Sequence, residues 1–148
     1  MATRQLRFEG DEILRKRSRE IEKIDDKIKT LAEDMVETMY KEEGVGLAGP
    51  QIGMLKRIIV VDIGEGPIVA INPVITAQDG EEVDMEGCLS VPGKSGKVSR
   101  PYAVRVEYTD LDGASQAIEA EGFLARAFCH EIDHLNGVLY IDKLVEGE

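Results

Sequence analysis

Apolar residues at Ile28, Leu31, Ala32, Met35, Val36 and Met39 recur in steps of three and one, which predicts an amphipathic helix over Asp25 to Glu43. Asp25 or Asp26 can cap its first turn, and Gly44 ends it. A shorter helix is expected around Asp11 to Arg17. Beyond Gly44 the helical period is lost and the segments read as strands. Arg57-Ile58-Ile59-Val60-Val61-Asp62 reads as a strand, and Ile68-Val69-Ala70-Ile71-Asn72 as another that stops before Pro73. Val104 to Tyr108 alternates apolar and polar positions. Leu111-Asp112-Gly113-Ala114 then turns the chain toward a partner strand at Ser115 to Ala120. From Phe123 to Leu135 the spacing is helical again, with Phe123, Ala127, His130 and His134 in register and Gly137 as the stop. Helix, antiparallel strands and second helix predict an α+β fold: small antiparallel or mixed sheets around a central C-terminal helix.

Composition narrows the classes of function. The chain has 148 residues, 43% hydrophobic and 32% charged, with no repeat, low-complexity tract or linker, so a single folded domain over 1–148 is expected. Its densest apolar run, Ile58 to Val61, falls far short of the ~18 residues of a membrane span. Met1 to Arg7 carries charge but no apolar core of a secretory signal, which predicts a cytoplasmic protein with no membrane partner. The net charge is −11, and the one basic cluster, Arg15-Lys16-Arg17 with Arg19, is broken up by acids. Direct nucleic-acid binding is therefore not expected, because a phosphate backbone requires clustered cations. Two cysteines, Cys88 and Cys129, cannot form a disulfide framework and read as thiols or metal ligands.

The chemistry concentrates on the second helix. The two histidines stand four apart in His130-Glu131-Ile132-Asp133-His134. Positions i and i+4 lie one turn apart on one face, so both imidazoles can reach one ion. Chance places them so, with Glu131 between, roughly twice in a thousand such chains. A catalytic metal takes three protein ligands and keeps a position open. The chain after His134 is too short for the downstream Glu of one zincin class. Gly137 fits the metzincin spacing, but Tyr140 occupies the place of that class's third His. The third ligand is expected upstream. Cys129 leaves the helix about 100° from His130 and reads as a small buried residue. Cys88, in Glu86-Gly87-Cys88-Leu89-Ser90, is the better candidate.

Gly44-Val45-Gly46-Leu47-Ala48-Gly49 has the spacing of a dinucleotide-binding loop, yet a helix precedes it where a strand is required. A glycine-rich strand whose backbone pairs with an extended peptide fits better. Gln51, a neutral amide at its end, could donate to a developing oxyanion.

These three blocks, Gly44 to Gln51, Glu86 to Ser90 and His130 to Leu135, stand in the order and separation found in peptide deformylases, and the chain resembles that family over essentially its whole length. The resemblance implies removal of the N-terminal formyl group from formyl-methionyl nascent polypeptides, with release of formate. It implies that Cys88, His130 and His134 hold a metal, physiologically Fe(II), with Zn(II), Ni(II) or Co(II) able to substitute. Glu131 would take a proton from water and deliver it to the leaving amine. The Gln51 side chain and the Leu89 backbone N–H would stabilise the oxyanion. The methionine side chain needs an apolar slot, for which Val45, Gly46, Phe123 and Ala127 are the candidates. Arg126 would pair with an acid or lay its stem along that slot.

The family usually has Ala where Gly49 stands, so a looser segment is expected there. Some relatives continue into a C-terminal helix that assists ribosome docking; this chain ends at Glu148, and its acidity opposes such docking. The alternatives are a small metallopeptidase using the same His-Glu-His chemistry, or a non-catalytic metal- or peptide-binding module.

Overall fold

In the computed structural model, residues 2–145 are described. The first long helix, α1, spans Asp26–Lys41. The Asp25 carboxylate caps it, accepting from the Ile28 N–H at 3.0 Å. The upstream segment expected as a short helix is one 3-10 turn, Glu12–Arg15. Seven strands follow α1: β1 Gly46–Ala48, β2 Ile58–Val61, β3 Ile68–Asp79, β4 Glu82–Cys88, β5 Val91–Arg100, β6 Ala103–Thr109 and β7 Ser115–Glu121. The second helix, α2, spans Phe123–Leu135, the bounds read from its periodicity.

The strands form two antiparallel sheets, one of five in the order β1-β2-β3-β6-β7 and one of two, β4-β5. In β2 the alternation of side chains assigns Ile58 and Val60 to the core beneath α1, and Ile59 and Val61 to the core beneath α2. A strand buried on both faces shows a continuous apolar run, which is what Ile58 to Val61 presents. The α1 core adds Leu31, Met35 and Met39 to Leu47, and the α2 core adds Phe128, Ile132 and Leu135 to Ala48. Burying one such side chain stabilises the fold by about 1.5–3 kcal/mol. A third cluster, Val91, Val98 and Tyr140, lies under the β4-β5 ribbon.

β3 does not stop before Pro73. Its pairing slips between Ile71 and Val74, where Asn72 adopts φ 53°. Pro73 has no N–H to give the ladder, and the bulge removes the need for one. The Asn72 side chain replaces the lost pairing, accepting from the Ile21 N–H at 2.9 Å and donating to the Ile21 carbonyl at 2.8 Å. The expected slack at Gly49 is also absent. A methyl there would stand 2.7 Å from the carbonyl oxygens of Met54 and Lys56, so the chain has closed over the position.

Candidate active site and metal centre

Helix α2 is fixed at its end before its side chains do anything. Arg57, buried just before β2, donates to the Leu135 carbonyl at 3.0 Å and to the Asn136 side chain at 3.0 Å. A cation on the final carbonyls complements the negative end of the helix dipole.

On the held helix, His130 and His134 face each other edge to face, with ring centroids 5.1 Å apart. Cys88, at the end of β4, reaches them across the gap between ribbon and helix, with its Sγ 3.4 Å from His134 Nε2. The three ligand atoms of Cys88, His130 and His134 lie within 4.8 Å of one another, close enough to hold one ion. Sulfur also accepts from the Ser90 N–H at 3.4 Å and from the Gln51 amide at 3.5 Å.

His130 points one nitrogen away from this cluster. Its Nδ1 lies 2.9 Å from Glu86 Oε1, and since a carboxylate only accepts, Nδ1 carries the hydrogen and Nε2 is left for the site. Tyr140 stacks on the same ring with centroids 6.1 Å apart, so it props the imidazole. Burial works against a charged His130, but Cys88, Glu131 and Glu86 outweigh it and raise its pKa to about 10, so an ion taken up at Nε2 would displace a proton. Burial pushes His134 well below its ordinary value. The anionic neighbours around the pair make the pocket suited to a cation.

Glu131 is fully enclosed. Burial raises its carboxyl to about 7, and its Oε1 has no hydrogen-bond partner. It lies against β1 at Gly46, where a methyl group would run into Glu131 Oε2, so only glycine lets the strand pass that close. His134 Nδ1 is a second buried atom without a partner. The orphaned Glu131 oxygen beside a cluster of three ligand atoms fits a site completed by an ion and its substrate.

The other expected residues divide. Gln51 is buried in the 3-10 turn after β1, its carbonyl oxygen accepting from the Ala48 N–H at 2.9 Å and its amide donating to Ser90 Oγ at 3.1 Å. Leu89 follows Cys88 directly and covers Gly44. Ala127 lies in the α2 core, whereas Val45 and Phe123 are 40% and 54% exposed. Arg126 pairs with an acid: its guanidinium donates to Glu86 Oε2 at 2.7 Å and to the carbonyls of Val98 and Glu82 at 2.9 and 2.7 Å.

Glu86 itself escaped the sequence reading, although it opens the block that contains Cys88. It is 7% exposed and joins Arg100, Arg126 and His130. Burial alone would raise its carboxyl, but the His130 and Arg100 hydrogen bonds outweigh this and hold it well below the ordinary carboxylate range. Arg100 continues the network to Asp133 at 2.6 Å. Asp133 belongs to the His-Glu-Ile-Asp-His block, a visible signal; Arg100 sits in no pattern that marks it.

An α+β fold that brings a cysteine and two histidines within reach of one ion, beside an enclosed carboxylate, has the form of a metal-dependent hydrolase. The family model for polypeptide deformylases matches residues 4–148, and the chain belongs to that family. It is 56% identical over 148 residues to peptide deformylase 1 of Clostridium acetobutylicum, covering 100% of this chain and 99% of that protein. The crystal structure of peptide deformylase from Thermotoga maritima matches with a TM-score of 0.96 and 44% identity, over 98% of this chain and 99% of that one. A Synechococcus elongatus peptide deformylase in complex with actinonin matches with a TM-score of 0.94 and 42% identity, over 97% of this chain and 79% of that one. The chain is thus an enzyme of a metal-using family that removes the N-formyl group from nascent polypeptides.

Proposed function

We propose that one divalent ion, held by Cys88, His130 and His134, serves this deformylation, and that Fe(II) is the physiological ion with Zn(II), Ni(II) or Co(II) able to replace it. The observation that carries the assignment is the grouping of those three ligand atoms within 4.8 Å. When bound, the ion supplies Lewis acidity, lowering the pKa of water and polarising the formyl oxygen. Glu131 takes the proton from the attacking water and hands it to the departing amine, a role its enclosed and unpartnered Oε1 supports. The Gln51 amide and the Leu89 N–H donate to the oxyanion that forms when water adds to the formyl carbon.

The substrate backbone extends the five-stranded sheet at β1, alongside Val45 and Gly46. β1 is an edge strand, and main-chain pairing holds an extended peptide whatever its side chains. The methionine side chain packs toward Phe123 and Ala127; the exposure of Phe123 leaves apolar surface for it to cover. In this reading α2 is the axis on which both sheets converge, within one domain over 1–148 that acts in the cytoplasm. The charge of −11 weighs against docking on ribosomal RNA. Among the described residues no helix is long and apolar enough to cross a membrane.

The test is formate release from formyl-Met-Ala-Ser by anaerobically purified protein, with metal measured on the same sample. Expected are one ion per chain, turnover of the formyl but not the acetyl peptide, decay of the iron form in air and persistence of a nickel form. Cleavage of internal bonds without formate would overturn the reading in favour of a metallopeptidase.

A further inference from the structure

Helix α1 buries a carboxylate that the deformylation chemistry does not use. Asp34 is 4% exposed on a helix face otherwise given to Leu31, Ala32 and Met35. A buried charge is costly unless paired, and the partners of Asp34 come from the first residues of the chain. Its Oδ1 accepts from the Ala2 N–H at 2.9 Å, and its Oδ2 accepts from Arg4 Nε at 2.9 Å and lies 2.9 Å from Arg4 Nη2. One turn on, Thr38 Oγ1 accepts from the Arg4 N–H at 2.8 Å. Burial would raise the Asp34 carboxyl, but the Ala2 N–H and the Arg4 guanidinium outweigh it and hold the group below its ordinary value.

From this anchor the strap runs past the site. The Arg7 N–H donates to the Gln51 carbonyl at 2.7 Å, and the Glu9 N–H donates to the Ser90 carbonyl at 2.7 Å. Gln51 and Ser90 are themselves joined, side chain to side chain, at 3.1 Å. The strap therefore ties together the residue that carries one oxyanion donor and the residue next to Leu89, which carries the other. These two segments are 39 residues apart in sequence, so nothing local sets their spacing.

From this we propose that Arg4, seated on Asp34, is a positioning residue for deformylation: through residues 2–9 it sets the separation of the Gln51 and Leu89 donors. The inference rests on those two residues being the oxyanion donors. A contact made only in the transition state governs kcat, whereas peptide pairing along β1 governs much of KM, so releasing the strap separates the two constants.

The experiment uses the full metal-loaded chain with formyl-Met-Ala-Ser, together with amide exchange at Arg7 and Glu9. Arg4→Ala is expected to keep its metal and release both amides. It should lower kcat about 10-fold, less than the ~100-fold that a 1 Å misplacement can cost, and leave KM within about twofold. Arg4→Lys, which keeps a cation near Asp34, should recover most of the lost rate. Should Arg4→Ala fold poorly, Asp34→Asn removes the charge while keeping an acceptor for the Ala2 N–H, and the same kcat-selective loss is expected. In a Gln51→Ala background, Arg4→Ala should cost less than about threefold, because one donor it aligns has gone. An unchanged kcat with both amides exchanging freely overturns the proposal. So does an equal loss in both backgrounds. A wild-type rate for Gln51→Ala alone overturns the donor assignment instead, through a different variant, and takes this proposal with it.

Discussion

The two cysteines of this chain have opposite surroundings. Cys129 sits in the α2 core, where burial pushes its thiol up to about 11 and keeps it protonated. Cys88 faces two imidazoles and accepts from two N–H groups, the setting of a metal-binding sulfur. A serine hydroxyl is a far poorer anionic ligand than a thiolate. Cys88→Ser should therefore lose most of its metal and nearly all formate release, as metal analysis of the purified variant beside the peptide assay will show. If Cys129→Ser loses both and Cys88→Ser neither, the ligand assignment fails. At this scale the sequence was readable wherever chemistry follows local spacing. His130 and His134 announce themselves by their i, i+4 interval, and Cys88 by the block around it. Glu86 and Arg100 do not, because they lie 14 residues from each other and 44 and 33 from their partners on α2, and only the fold brings them together.

Between elements, the network of Glu86, Arg100, Arg126, His130 and Asp133 fastens the β4-β5 ribbon, which carries Cys88, to helix α2, which carries the histidines. Its hub is a carboxylate whose folded pKa lies below its ordinary value of 4.5. Such a group contributes stability that is fully present above the unfolded pKa and is lost as pH falls through the folded one. Glu86→Gln leaves the buried Arg126 guanidinium with carbonyls but no anion, and Arg100 with Asp133 alone, and should cost about 3–5 kcal/mol at pH 7. The gap between wild type and variant, measured by denaturant unfolding, should hold steady down to about pH 5 and narrow below it. A gap that stays constant to pH 3 would mean that Glu86 gains nothing from ionisation in the fold. This ribbon was also the least legible element. Val83 and Met85 are exposed, so β4 has no clear alternation of buried and exposed residues to betray it. α1 and α2 each bury a regular stripe, and their periods showed them, whereas β2 showed as an unbroken apolar run. The bulge of β3 depends on Asn72 meeting Ile21 across the fold, which no local pattern encodes.

At the scale of the molecule, two cores are built on opposite faces of one sheet, and the reactive groups collect where α2, β1 and the ribbon meet. The general α+β form followed from the order of periods along the chain, whereas the convergence of β1 on Glu131 did not. It needs the close passage at Gly46, visible only once strand and helix are packed. In the proposed mechanism that convergence sets the acid-base carboxylate against the cluster that would hold the metal, and the two roles can be separated. Glu131→Gln keeps size and hydrogen bonding but neither accepts nor delivers a proton. Metal content and formate release measured together on that variant test the account most directly. It predicts one ion per chain, as in wild type, and formate release reduced by at least ~100-fold, the lower end for a lost general acid-base group. Turnover near the wild-type rate with metal bound, or loss of the metal along with the activity, would contradict it.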